Sequence, residues 1–150
     1  MAITQALCTS FKAELLLARH NFGITEVRAA TSADVFKCAL YPSSATLSAA
    51  TSAYSATDEV ANGGGYTTGG QTITISQVPT TTGTTAWLDF ADLAWTTATF
   101  TANGALIYNS SQGNKAVGVL AFGADKTVDA GTFTLQWPVA DSSNAIIRIA

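Results

Sequence analysis

The sequence predicts a mainly β protein: an antiparallel β-sandwich of jelly-roll or immunoglobulin-like type, preceded by one N-terminal α-helix. Three observations carry this. After residue 35 the apolar residues fall into seven or eight short runs at fairly even spacing, with turn-forming clusters between them. Only the first twenty residues show the three-and-four spacing of a helix face. No strand–helix alternation and no internal repeat runs through the chain, so a parallel, doubly wound sheet is not expected.

The helix rests on Leu7, Phe11, Leu15 and Ala18, which share one face. Thr4 or Thr9 can cap its start, and His20-Asn21-Phe22-Gly23 supplies its stop. Leu16 and Leu17 widen the apolar stripe beyond what one small helix needs, so the helix either lies deep against the sheet or docks on a neighbouring subunit. Residues 1–30 are accordingly read as a helix and arm making the assembly contact, through Leu7, Phe11, Leu15, Leu16 and Phe22. Residues 31–150 are read as the sandwich domain.

Val35 to Tyr41 is the first expected strand, closed by Pro42-Ser43-Ser44. Residues 45–54 are Ser, Ala and Thr with Leu47 and Tyr54 as anchors, and read as loop. Asn62-Gly63-Gly64-Gly65 breaks the chain again. Residues 71–78 alternate cleanly, with Ile73 and Ile75 on one face, and read as one half-buried strand. Residues 79–85 read as a Thr-rich turn around Gly83. Strands are then expected around Trp87-Leu88 and from Leu93 to Phe100. Residues 105–108 and 115–122 form the clearest hairpin, joined by Asn109-Ser110-Ser111-Gln112-Gly113-Asn114. A further turn is expected at 123–126, then a strand with Phe133, Leu135 and Trp137 inward, and a last one at 145–150.

Charged residues make up 11 % of the chain, against about 25 % in an ordinary soluble domain. Thr, Ser and Ala stand where Lys and Glu usually keep neighbours apart, which fits a secreted or envelope protein with a Thr/Ser coat but favours a subunit covered within an assembly. The net charge of −3, with seven scattered Lys and Arg, excludes a basic nucleic-acid-binding stripe. No apolar run is long enough to span a membrane, and no secretory signal stands at the start, so synthesis in a cytoplasm is expected. Cys8 and Cys38 then read as reduced, buried small hydrophobes.

Chemistry is searched for without success. His20 has no acid or cysteine beside it in sequence, and Cys8, His20 and Cys38 lack metal-ligand spacing. Calcium at Asp58-Glu59, or at Asp89 with Asp92, is weighed against solvated acids at strand ends, and the second reading is preferred. Asp125 and Asp129 are equally ordinary. The glycines at 63–65 and 69–70 lack the Lys and following helix of a phosphate loop. No catalytic residue, cofactor or metal ligand is assigned, and no enzyme is expected.

Several stretches resemble a family of small phage-encoded proteins from virion gene clusters. They are Met1 through Phe11 to Leu15, Phe36 to Tyr41, and Ala53-Tyr54 through Asp58-Glu59-Val60 to Gly65-Tyr66. Gly104-Ala105-Leu106-Ile107-Tyr108-Asn109 to Gly123-Ala124-Asp125-Lys126 completes the set. The resemblance lies in strands and turns, without a chemical motif. It implies a virion component similar to capsid decoration (cement) proteins. The expected partners are then the major capsid protein and further copies of the chain, as a homotrimer. The other member of the resemblance is a tail or fibre module that binds a receptor or glycan, with Tyr54, Tyr66 and Trp87 as its stacking platforms.

Overall fold

The computed structural model describes residues 3–8, 11, 15, 19–23, 33–83 and 85–149. Eight strands and one 3-10 turn at Ser110–Gln112 are formed: β1 (Ala6–Leu7), β2 (Phe36–Tyr41), β3 (Gln71–Ile73), β4 (Ile75–Thr82), β5 (Thr85–Phe90), β6 (Leu93–Asn109), β7 (Lys115–Leu135) and β8 (Ile147–Ile149). They make two antiparallel sheets, in the orders β1-β7-β6-β2-β3 and β4-β5-β8.

The centre of the larger sheet is fixed by small and aliphatic residues. Ala105, Leu106, Ile107 and Tyr108 of β6 pair with Leu40, Ala39, Cys38 and Lys37 of β2 on one side, and with β7 on the other. The four β6 residues are buried, because loops and the N-terminal segment cover the sheet where Ala and Gly let backbone come close. Gly104 is one such seat: a Cβ there would press into the Ile3 side chain and the Leu120 carbonyl. Ile3 bridges Leu47, and Ala6 and Leu7 add a two-residue strand to β7 opposite Val119 and Gly118.

Four expectations are corrected. Leu7, expected on the helix, lies in strand β1; Phe11 and Leu15 are helical, and the rest of the expected helix, Ala18 included, lies outside the described residues. The single strand expected at 71–78 is broken at Thr74. Ile73 closes β3 in one sheet and Ile75 opens β4 in the other. Alternation sets which face a residue takes, but not which sheet receives it. The Thr-rich stretch 79–82, expected as loop, extends β4, as β-branched side chains permit. The turn expected at 123–126 is a bulge inside β7, where the register jumps from Ala102↔Lys126 to Gly104↔Ala121. The short strands expected around it are therefore joined into a hairpin of 17 and 21 residues.

Candidate assembly site

The residues expected at an assembly contact are divided by the fold. Phe11 is fully buried and Phe22 nearly so; Phe22 stacks on Phe36 at 4.5 Å and meets Phe11 edge-on at 6.1 Å. Leu7 and Leu15 are half-buried, and Leu16 lies outside the described residues. Phe11, Leu15 and Phe22 nevertheless meet at one place. They form one wall of a cleft of about 170 Å³ whose other wall is Pro79, Ala86, Trp87, Leu88, Ile147 and Ile149. β5 and β8 build that second wall by register, since Ala86 faces Ile149 and Leu88 faces Ile147. The lining is wholly apolar, so its chemistry is the docking of an apolar side chain, with Ile149 half-exposed at the rim.

A second feature sits on the opposite flank of β2, where residues 42–70 fold back over the larger sheet. Glu59 holds it there. Its Oε2 accepts from the Tyr54 hydroxyl at 2.6 Å, and its Oε1 accepts from the Tyr66 hydroxyl and from the Gly69 amide at 2.8 Å. Tyr66 in turn accepts from the Leu40 amide at 2.9 Å. Tyr108 donates to the Gly69 carbonyl at 2.7 Å and stacks on Tyr54 at 4.5 Å. Tyr41 donates to the Ser55 carbonyl at 2.6 Å. All four tyrosines of the chain are thus spent on this clasp. Burial, first, and the Glu59 charge, second, push the Tyr108 hydroxyl up to about 12. Burial and the hydrogen bond to Glu59 push Tyr54 and Tyr66 upward as well. Gly70, at φ +67, completes the clasp, because any Cβ there would overlap the Cys38 carbonyl.

This geometry bears on the glycan platforms expected from sequence. Tyr66 is buried and Tyr54 is half-buried against Tyr108, so both rings face the protein. Trp87 stays half-exposed at the apolar cleft, its Nε1 donating to Thr82 Oγ1 at 3.2 Å.

The third polar feature joins the hairpin turn to His20, Asn21 and Asp34. Asn109 Nδ2 donates to Asp34 Oδ2 at 2.8 Å and lies 3.2 Å from His20 Nδ1. Gln112 Nε2 donates to Asp34 Oδ1 at 3.3 Å, and the Asn21 amide donates to Asp34 Oδ2 at 3.3 Å. His20 therefore has carboxamide and carboxylate neighbours that sequence proximity does not reveal, since Asn109 is 89 residues away.

Among the described residues no group of three His, Cys, Asp or Glu side chains converges as a metal site. Glu59, a weighed calcium ligand, is committed to the tyrosines, and Asp58 is exposed. Asp89 is buried with Oδ1 lacking a hydrogen-bond partner; burial, and then the Asp92 charge, push its carboxyl upward. Asp125 accepts from Asn103 Nδ2 at 2.8 Å. Cys8 and Cys38 are buried cysteines outside any disulfide, on β1's flank and on β2, with β7 and β6 between those strands.

Sequence reasoning missed the Glu59 clasp and the Asn109 network. A faint signal existed for the first: a glutamate between two tyrosines, in a glycine-rich stretch that holds Asp58 but no Lys or Arg, has few other partners nearby. The chain matches no model of a known protein family, no curated protein and no solved structure.

Proposed function

We propose that this chain is a structural component of a phage virion, a decoration protein seated on the major capsid protein and strengthening the shell. In this reading the two sheets are the layers of a jelly-roll or immunoglobulin-like sandwich. The subunit is made in the host cytoplasm, assembles as a homotrimer and resides in the virion. One observation supports it above others. The exposed face of the long hairpin carries Thr96, Thr97, Thr99, Thr101, Thr127, Thr132 and Thr134, a neutral surface with little charge to hold copies apart. Many identical neutral joints, each burying modest apolar area at about 25 cal/mol per Å², sum to a large stabilisation over a shell.

A tail module that stacks glycans on aromatic rings is the other reading. It is less favoured, because Tyr54 and Tyr66 are engaged by Glu59 and Trp87 alone remains.

The test is the copy number per particle, measured by quantitative mass spectrometry on purified virions of the encoding phage. Hundreds of copies support the shell, a handful moves the chain to the tail, and none overturns the virion reading. Truncating residues 1–20 is a poor probe of the contact, since it removes the core residues Cys8 and Phe11. Ile149→Asp, at the rim of the apolar cleft, is the cleaner variant. Binding to isolated shells should fall at least about tenfold if the cleft docks a partner residue.

A further inference from the structure

The chain holds two Asn-Gly steps, Asn62-Gly63 and Asn103-Gly104. Such a step is reactive because glycine, lacking a Cβ, leaves its own amide nitrogen uncovered. Attack of that nitrogen on the preceding carboxamide closes a five-membered imide. The fold treats the two steps in opposite ways.

Asn103-Gly104 is sealed. Gly104 is buried and pairs with Tyr41 of β2 on one side and Ala121 of β7 on the other. A Cβ there would press on the Leu120 carbonyl and the Ile3 side chain, so its backbone has no space in which to turn. The Asn103 carboxamide is held by Asp125 at 2.8 Å. Asn62-Gly63 is open. Both residues are exposed, and a Cβ on Gly63 would meet nothing within 4 Å. The Gly63 amide donates to the Tyr66 carbonyl at 2.9 Å, and the Gly63 carbonyl accepts from the Tyr66 amide at 2.9 Å. Asn62 Oδ1 faces the Thr68 amide at 3.3 Å, a donor standing where negative charge collects during the attack.

We propose that Asn62 is a site of spontaneous modification, where the native protein converts asparagine to isoaspartate and so loosens the Glu59 clasp. When the 63–66 turn opens, the Gly63 nitrogen bonds to Cγ of Asn62. The proton of that nitrogen and the Asn62 Nδ2 group leave together as ammonia. Water then adds to the backbone carbonyl carbon of residue 62 and breaks its bond to the Gly63 nitrogen. The main chain now runs through Cβ and Cγ, one atom longer, and a free carboxylate stands where the backbone carbonyl was.

Both changes bear on the clasp. The new charge arises three residues from Glu59 and four from Asp58, in a stretch with no Lys or Arg between residues 38 and 114. The longer backbone displaces Gly63, whose bonds seat Tyr66, the residue that links Glu59 to the Leu40 amide. It also displaces Gly64, whose carbonyl accepts from the Thr99 amide of β6 at 2.8 Å.

The experiment incubates the native full chain in mildly alkaline buffer beside a sample in concentrated urea, and localises isoaspartate by tandem mass spectrometry. In the native protein residue 62 should convert at least about tenfold faster than residue 103, because opening a surface turn costs far less than opening a buried ladder. In urea the two should convert at similar rates. Equal native rates, earlier conversion at 103, or no conversion at 62 overturns the assignment. The converted form carries one more negative charge and separates by ion exchange. Its unfolding equilibrium constant in denaturant should be about fivefold that of the unconverted form, the worth of about one hydrogen bond. Equal constants overturn the link to the clasp. Asn62→Gln, aged alongside, should gain neither the charge nor the loss of stability, and an equal loss in that variant overturns the proposal as well.

Discussion

The two halves of the long hairpin share the same strands and the same antiparallel pairing, yet they are held in different ways. Near the turn, residues 104–109 and 115–120 lie within the five-stranded sheet, with β2 on one side and β1 on the other for two residues. There nearly every residue is buried. Farther out, residues 93–103 and 121–135 carry one apolar face, with Leu93, Trp95, Ala98 and Ala102 buried and Phe100, Phe122, Val128, Phe133 and Leu135 partly so, and an exposed face of threonines and short polar residues. The inner half is stable because both faces exclude water. The outer half is held by ring contacts at 5.2–6.5 Å among its own Trp95, Phe100 and Phe133, and by Tyr66 of the 42–70 segment that Glu59 fastens down. Three of the hairpin's four register shifts fall at or beyond the boundary between the halves. A ribbon without a cover on both faces can bend around its neighbours, and bulges are how it bends.

Three measurements break or sharpen this contrast, beginning with the largest effect. Raising the pH should unfold the whole chain in one step, because the clasp joins both halves. The tyrosine hydroxyls are held above the ordinary value near 10 in the folded state, so stability is lost as pH climbs beyond it. Tyrosinate absorbance should stay flat past pH 10 and then rise together with loss of far-ultraviolet dichroism. Four separate titrations with the fold intact would show that the clasp is not what joins the halves. Next, Leu106→Ala in the inner half should cost about 3 kcal/mol in denaturant unfolding, and Phe133→Ala in the outer half about 1.5 kcal/mol. Equal losses would erase the distinction. The smallest effect is a gain. Thr97 sits in a bulge at φ 52, a left-handed backbone that β-branched residues resist, so Thr97→Gly should add about 1 kcal/mol.

Sequence periodicity revealed the strands but not their continuity. The inner hairpin was legible because residues 105–108 and 115–122 are apolar runs on either side of a polar, Gly- and Asn-containing turn. The outer half was not, because Gly123 and Asp125-Lys126 look the same in a bulge as in a turn. Phe11 and Phe22 were legible as apolar anchors, but pattern alone does not say whether an aromatic residue serves its own core or a partner's. The Glu59 clasp joins residues 5 to 10 positions apart but is anchored to the sheet through Leu40 and Tyr108, and the His20–Asn109–Asp34 network spans 75 to 89 residues, a separation that no local pattern encodes.

The seat of Ile3 on Gly104, and of Ala6 and Leu7 on β7, has a consequence for how the chain is made. A ribosome delivers these residues more than a hundred residues before their partners at 118–119. At usual elongation rates that interval is roughly 5–20 s. Through it, Ile3, Leu7, Cys8 and Phe11 have no finished surface to rest on, and the inner hairpin, whose own contacts are local, should form before they dock. Final closure of this protein is thus a long-range event performed by residues that wait for their partners, and a chaperone would find its binding site on that uncovered stretch.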